Sequence, residues 1–197
     1  MYRPDSHYLW DFWLQQRDGL FHLFHLQAPR TPDDPELRHG VATVGHAVSR
    51  DLRHWRARKT ALDTGAPGTW DDRAIWTGSV LDLGGRYAML YTGTNHAEDG
   101  KVQRVGLSLS GDLERWERHP ANPVILADLR WYRGQNPDHR GELAWRDPWL
   151  MRDPDGNGFV ALLTAQAAAS PRYACGCIAL ARSADLVHWR VEPPLAV

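Results

Sequence analysis

One eleven-residue pattern occurs three times in this chain, at residues 45–55, 106–116 and 179–189. Each copy begins with a small residue, has Ala or Ser third, and continues as Ser-x-Asp-Leu-x-x-Trp. The alternation of small and large residues predicts a strand, Ser-x-Asp supplies side-chain acceptors for a tight turn, and the tryptophan begins the next strand. A pattern that recurs every 60 to 75 residues or so indicates a fold built from similar units.

A second phrase marks the start of two of these units. Trp10–Leu14 and Trp145–Leu150 share the sequence Asp-x-Trp-Leu, and each is followed by a glycine-containing turn and an apolar strand. The middle unit has an apolar strand on either side of the Gly84-Gly85 turn, which predicts a hairpin. Counting back from the three turns aligns one residue in each unit: Asp11, Thr77 and Asp147.

Each unit contains roughly four short antiparallel strands and almost no helix, which is typical of a β-propeller blade. We therefore predict an all-β fold in which residues 1–197 form part of a β-propeller catalytic domain. Its blades span about 8–56, 74–117 and 143–190. Because the first strand of a blade lines the central channel, the aligned residues should converge on one pocket. A β-sandwich with coincidental similarity between its parts is the alternative.

The predicted blades are too few to close a ring, since propellers have about four to eight. The chain continues only to Pro193–Val197 after the third pattern, where we expect no closing strand. We therefore expect a fragment that lacks about two blades. Assembly of several short chains into one ring is the alternative.

The composition excludes several classes of function. A formal net charge of −1 offers no field that would hold nucleic acid or an anionic membrane. There is no run of about 18 apolar residues and no apolar segment at the N-terminus, so the default expectation is a cytoplasmic protein without membrane partners. Ten tryptophans offer flat indole faces that suit sugar rings.

No residue pattern predicts a metal or a cofactor. Cys175 and Cys177 are the only cysteines, and two thiols do not make a zinc site on their own. His22 and His25 are three residues apart on a predicted strand and should point to opposite faces. The sequence leaves the oligomeric state open.

Two inward carboxylates surrounded by tryptophans suit the oxocarbenium-like transition state of glycoside hydrolysis. That reaction also needs a general acid, usually a glutamate. None of the glutamates begins the first strand of a blade, so we expect the acid to lie beyond Val197. The glutamates are Glu36, Glu98, Glu114, Glu117, Glu142 and Glu192.

Several motifs resemble those of glycoside hydrolase families 32 and 68, the five-bladed β-fructofuranosidases, levanases and fructosyltransferases. The segment 45–55 is similar to the end of blade one in family 32, and Trp76-Thr77-Gly78-Ser79 resembles a Phe-Ser-Gly-Ser motif. Arg146-Asp147-Pro148 resembles the Arg-Asp-Pro motif whose aspartate stabilises the transition state. Trp10–Trp13 is closer to the family 68 form than to the Asn-Asp-Pro-Asn-Gly form of family 32. The Glu-Cys or Glu-Arg motif that supplies the acid is absent.

The resemblance implies a retaining glycosidase that acts on β-fructofuranosides such as sucrose, levan or inulin. Asp11 takes the role of the nucleophile and Asp147 that of the transition-state stabiliser, with a carbohydrate as the substrate partner. This polypeptide would then lack its general acid. The residues assigned to substrate binding are Trp10, Trp13, Gln27, Trp76, Thr77, Ser79, Arg146 and Trp149.

Other residues fit structural roles better. Asp153 repeats the Arg-Asp-Pro tripeptide but enters a hairpin turn at once, so we interpret it as structural. Asp71 and Asp72 are interpreted as solvated loop acids. The tryptophans that end the repeated pattern are predicted to be core residues, and its aspartates to be turn acids: Trp55, Trp116, Trp189, Asp51, Asp112 and Asp185.

Two rival functions remain open from the residues alone. An inverting arabinanase or xylosidase of the family 43 type would use the same five-bladed scaffold. The distance between the acid and the Asp11 carboxyl would separate the two, at about 5 Å for retention and above about 6.5 Å for inversion. A non-catalytic sugar-binding propeller is the second rival, and the missing acid favours it.

Overall fold

A computed structural model describes residues 2–30, 34–134, 144–156, 158–171 and 175–196. These residues form three four-stranded antiparallel sheets and one short 3-10 helix. In each sheet, neighbouring strands are consecutive in sequence.

The first sheet contains β1 (His7–Arg17), β2 (Leu20–Pro29), β3 (Thr43–Ser49) and β4 (Arg56–Ala57). The second contains β5 (Ala74–Asp82), β6 (Tyr87–Thr94), β7 (Arg104–Ser110) and β8 (Glu117–Arg118). The third contains β9 (Trp145–Arg152), β10 (Phe159–Gln166), β11 (Gly176–Ser183) and β12 (Trp189–Ala196).

The first strands of the three sheets contact one another in the order β1, β5, β9. The sheets are therefore three blades of a β-propeller, as the repeat predicts, with their first strands on the inner side. We call them blades 1, 2 and 3. The rim helix, Pro35–Val41, connects β2 to β3 and contacts both β2 and β5. The blade boundaries drawn from the sequence stay a prediction.

The repeated pattern forms the same turn in every blade, as predicted. In blade 1, Asp51 Oδ1 accepts hydrogen bonds from the backbone N–H groups of Arg53 and His54, and Ser49 Oγ donates to it at 3.0 Å. Asp112 and Asp185 accept the corresponding bonds in blades 2 and 3. The aspartates of the pattern are thus turn acids, and the backbone donors hold the pKa of Asp51 below its usual value.

The leucine that follows the turn aspartate is exposed in blade 1 but buried in blades 2 and 3. Leu113 is fully buried between blades 1 and 2, and Leu186 is 3% exposed between blades 2 and 3. Leu52 has the same left-handed backbone conformation but is 46% exposed, on the open face of blade 1. Phe12 lies on the same face and is 69% exposed. The two buried leucines, Leu113 and Leu186, are therefore each covered by the blade that precedes their own.

Three expectations about single elements were wrong in whole or in part. A closing strand does follow the third pattern, because β12 continues through Pro193 and Pro194 as an edge strand, where a missing N–H is tolerated. The tryptophans that end the pattern are partly buried: Trp116 and Trp189 pack against the core as predicted, whereas the indole of Trp55 lies over its own turn and donates to the carbonyl of Leu52. Asp71 is 1% exposed instead of solvated, because it pairs with Arg118 at 2.8 Å.

No helix among the described residues is both long enough and apolar enough to cross a membrane.

Candidate functional site

The first strand of each blade contains a β-bulge at the aligned position. The pairing of β1 with β2 skips Asp11, and the pairing of β5 with β6 skips Thr77. In β9 the pairing with β10 is irregular between Arg146 and Trp149, around Asp147. Asp11 and Asp147 have φ values of 34° and 58°, a left-handed conformation that aspartate adopts more readily than most residues. A bulge re-aims a side chain, and here the bulges turn both carboxylates into one cavity.

The cavity has a volume of about 520 Å³ and lies against the inner strands of all three blades. It contains both aspartates that the sequence analysis aligned, together with Thr77 between them. Indole rings and polar groups share its wall. Its lining residues are Trp10, Asp11, Leu26, Glu36, His39, Trp76, Thr77, Arg146 and Asp147.

A threonine hydroxyl lies between the two carboxylates. Thr77 Oγ1 donates to Asp11 Oδ2 at 2.6 Å, a length typical of a bond to a charged oxygen. The hydroxyl groups of Thr164 and Thr77 also act to lower the pKa of Asp147, against the effect of burial. Because a hydroxyl carries one proton, Thr77 cannot donate to both carboxylates at once.

Asp147 is held in an environment that disfavours its charge. Burial raises its pKa above the usual value, and the neighbouring Asp11 raises it further. Arg146 acts in the opposite direction, with its Nε 3.6 Å from Asp147 Oδ2. The backbone N–H of Asp147 donates to Thr92 Oγ1 at 3.0 Å, which ties the bulge to blade 2. The geometry thus places two carboxylates with different surroundings beside each other, as acid–base or nucleophilic chemistry requires.

Asp147→Asn is expected to stabilise the fold at pH 7, because burial raises the pKa of Asp147 and its ionised form is therefore disfavoured in the folded state. A carboxyl whose folded pKa is raised loses stability when it ionises, so the gain should appear above its unfolded pKa and vanish at pH 3. Asparagine also tolerates the left-handed backbone at this position. Thermal denaturation at the two pH values measures the effect.

Asp153→Asn is the matched control, because Asp153 belongs to the second Arg-Asp-Pro tripeptide. It pairs with Arg182 and accepts the backbone N–H of Asp155, and Arg182 holds its pKa below the usual value. Its role is therefore structural, as predicted, and this substitution should lower the melting temperature at pH 7. A loss of stability in both variants would contradict the strained environment inferred for Asp147.

Four of the eight predicted substrate-binding residues line the cavity: Trp10, Trp76, Thr77 and Arg146. The others lie elsewhere. Trp13 is 6% exposed and stacks on Phe24 in the core between blades 1 and 2. Ser79 is buried, where its hydroxyl donates to the carbonyl of Pro148 and accepts the N–H of Leu150, so that it joins blade 2 to blade 3.

Gln27 and Trp149 are also outside the cavity wall. Gln27 Nε2 is within hydrogen-bond distance of the hydroxyls of Thr43 and Thr60. Trp149 is 58% exposed and is not part of the cavity lining. The structure therefore does not bring Trp13, Gln27, Ser79 and Trp149 together with the two aspartates.

The rim helix is a part of the site that the sequence did not predict. Glu36 and His39 both line the cavity, although Glu36 was set aside because it does not begin a blade. The pattern Asp34-Pro35 signals a helix start, and the Asp34 side chain does accept the N–H of Glu36 at 2.8 Å. That signal predicts that a helix begins here, but it does not predict that the helix lies against the cavity. Glu142 lies outside the described residues.

A second polar cluster lies away from the cavity, between blades 1 and 2. His22 Nδ1 and His46 Nε2 are 3.0 Å apart in nearly parallel rings, and His46 Nδ1 is 3.7 Å from Glu114 Oε2. Arg58 holds Glu114 through two nitrogens at 2.6 to 3.1 Å. The imidazoles share a hydrogen bond, and Glu114 is already neutralised by a guanidinium, so the cluster is a polar chain across the blade joint.

The chain also matches known proteins in sequence and structure. Residues 13–196 match the model described as the Glycosyl hydrolases family 32 N-terminal domain. The fructan 6-exohydrolase of Triticum aestivum is 33% identical over 183 residues, which covers 88% of this chain and 27% of that protein. Beta-fructofuranosidase 1 of Zea mays is 33% identical over 153 residues, 74% of this chain and 21% of that protein.

Among solved structures, fructan 1-exohydrolase IIa from Cichorium intybus aligns with a TM-score of 0.75 and 25% identity. That alignment covers 98% of this chain and 33% of the chicory protein. The chain thus spans a third or less of the length of these relatives. The match agrees with the resemblance carried by the sequence motifs and decides against the family 43 alternative: the chain belongs to glycosyl hydrolase family 32 and corresponds to its N-terminal domain.

Proposed function

We propose that this chain carries the nucleophile and the transition-state stabiliser of a retaining glycoside hydrolase that acts on β-fructofuranosides. The observation that carries the proposal is the convergence of Asp11 and Asp147 on one cavity, each turned inward by a bulge in the first strand of its own blade. The relatives support the substrate class, because they are named as β-fructofuranosidases and fructan exohydrolases. The chicory enzyme has also been solved in complex with 1-kestose.

In the first step, a carboxylate oxygen of Asp11 forms a bond to the anomeric carbon of the fructosyl unit while the glycosidic C–O bond breaks. The leaving oxygen takes a proton from a general acid, which we place outside the described residues of this chain. In the second step, water attacks the anomeric carbon, its proton passes to the conjugate base of that acid, and Asp11 is released. Asp147 stabilises the positive charge that develops on the sugar in both steps.

The contacts at the site suit these two roles. Asp11 has a single short hydrogen bond from Thr77 and an exposed side chain, which leaves its second oxygen accessible for attack. Asp147 is more enclosed and is flanked by Arg146. A carboxylate in a less hydrated setting interacts more strongly with a developing cation.

The test uses a substrate whose leaving group needs no protonation. β-D-fructofuranosyl fluoride should transfer its fructosyl unit to the protein even without a general acid, because fluoride leaves unassisted. We expect intact mass spectrometry to show one fructosyl adduct, and peptide mapping to place it on Asp11. Asp11→Asn should form no adduct, Asp147→Asn should form it more slowly, and Asp153→Asn should react at the wild-type rate.

Two results would contradict the proposal. The folded wild-type chain could remain unlabelled, or the label could map to another residue. If sugar binding persists without any adduct, the chain is a sugar-binding propeller without a nucleophile, which was the second rival.

A further inference from the structure

We propose that Glu36 is a further substrate-binding residue, whose carboxylate accepts hydrogen bonds from the hydroxyl groups of a neutral sugar unit beside Trp10. This inference rests on the proposed function and deepens it, since it assigns a sugar contact to the rim helix of blade 1. Glu36 lines the same cavity as Asp11 and Asp147 and belongs to none of the motifs that carry the family resemblance.

The rim helix is fixed in place by contacts to both neighbouring blades. The indole N–H of Trp76 in β5 donates to the carbonyl of His39 at 2.8 Å. The ring of His39 packs edge-on against Trp10 in β1, with 5.5 Å between the centroids and an angle of 73°. Trp10 and Trp76 directly precede the bulged residues Asp11 and Thr77. The position of Glu36 is therefore coupled to the strands that aim the proposed nucleophile and its hydrogen-bond donor.

The two oxygens of Glu36 are used differently. Oε1 accepts a hydrogen bond from Arg38 Nη1 at 2.8 Å, so this oxygen already has a partner. Oε2 is 3.6 Å from His39 Nε2, beyond the length of a good hydrogen bond. The side chain is 72% exposed, so a ligand in the cavity can reach Oε2 without displacing Arg38.

The charge of the wall favours a neutral, hydroxyl-rich ligand. Among the residues that the structure describes, three carboxylates line the cavity, from Asp11, Glu36 and Asp147, against one guanidinium, that of Arg146. Ionised carboxylates only accept hydrogen bonds, and sugar hydroxyls supply the donors that they need. Hydrogen bonds to charged groups are also the stronger ones, so one well-placed hydroxyl contact has a measurable effect on affinity.

A purely structural role for Glu36 makes a different prediction. In that case Glu36 would only anchor Arg38, whose guanidinium lies 5.6 Å from the centre of the Trp10 ring. Loss of either partner would then have the same effect on the cavity. If Glu36 binds sugar directly, only the loss of its own carboxylate should weaken binding, so Arg38→Met is the discriminating control. Glu117→Gln, at an exposed carboxylate on β8, controls for the change in net charge.

The experiment is a titration of the full chain with sucrose. Binding is measured by isothermal titration calorimetry and by the change in tryptophan fluorescence. Glu36→Gln is expected to raise the dissociation constant about five- to tenfold. Arg38→Met and Glu117→Gln are expected to stay within about twofold of the wild type. Thermal melts of each variant verify that the fold is intact, which the exposed position of Glu36 favours.

The outcomes separate this inference from the proposed function. If the wild type binds sucrose and Glu36→Gln binds it equally well, or if Arg38→Met weakens binding as much as Glu36→Gln does, the sugar contact of Glu36 is refuted and the roles of Asp11 and Asp147 are untouched. If the wild type neither binds sucrose nor forms the fructosyl adduct, both proposals fail together.

Discussion

Leu113→Ala is expected to lower the free energy of unfolding by about 3 kcal/mol, whereas Leu52→Ala should change it by less than about 0.5 kcal/mol. The two leucines occupy the same position of the repeated turn and have φ values of 64° and 60°. Leu113 is fully buried between blades 1 and 2, and its truncation leaves a cavity there. Leu52 is 46% exposed on the open face of blade 1, where truncation removes little packing.

The difference between Leu113→Ala and Leu52→Ala in unfolding free energy reports the effect of burial without that of the backbone conformation. An alanine in the left-handed conformation is strained to the same extent at both positions, so that contribution cancels in the difference. Leu186→Ala is a second buried case and should resemble Leu113→Ala, since Leu186 is 3% exposed between blades 2 and 3. Urea denaturation of the three variants gives the values. If Leu52→Ala and Leu113→Ala lowered the free energy of unfolding equally, the contribution of these leucines would come from the turn itself and not from packing between the blades.

Acidification from pH 7 to pH 4 is expected to destabilise the fold by up to about 3 kcal/mol through the protonation of His46 and the groups coupled to it. Burial lowers the pKa of His46 to about 4, and the ring is enclosed by Phe24, His22 and Glu114. In the unfolded chain the imidazole of His46 is protonated below about pH 6.5, whereas in the folded chain it stays neutral down to about pH 4. The folded state therefore keeps its full stability above about pH 6.5 and loses it as the pH falls from there to about 4. Burial also lowers the pKa of His22 and His25, which act in the same direction.

The charged groups around His46, between blades 1 and 2, have opposite effects on its pKa. Glu114 favours the protonated form of His46, while His22, His25 and Arg58 disfavour it, and burial is the largest of these effects. His46→Gln should therefore flatten the dependence of the unfolding free energy on pH between 7 and 4. The exposed His96→Gln is the matched control and should leave that dependence unchanged. A His46→Gln variant that keeps the wild-type slope would assign the acid sensitivity to other residues.

The blades and the two aspartates could be predicted from the sequence because both are periodic. The repeated turns predict the number of units, and counting back from each turn aligns Asp11, Thr77 and Asp147. The wall of the cavity could not be predicted in the same way. A bulge inserts one residue and reverses the alternation of faces that follows, so Trp13 enters the core two residues after Asp11.

Partners from distant parts of the chain account for the remaining differences. Asp71 is buried because Arg118, 47 residues away, and the hydroxyl of Tyr91 both reach it, and neither contact leaves a local signal. Ser79 has the spacing of a site residue, yet it bonds to Pro148 in the next blade. The rim helix could be located in the sequence from Asp34-Pro35, but its attachment to Trp76 depends on the tertiary fold.

The bulged aspartates belong to separate sheets, each held together by its own backbone hydrogen bonds. The spacing between Asp11 and Asp147 is therefore set where neighbouring sheets meet, at the contact of Thr77 with blade 1 and at the contacts of Ser79 and Thr92 with blade 3. A displacement of about 1 Å between reacting groups can lower a catalysed rate about 100-fold. In an architecture of this kind, a small slip between adjacent sheets can weaken the chemistry while every reacting group stays the same.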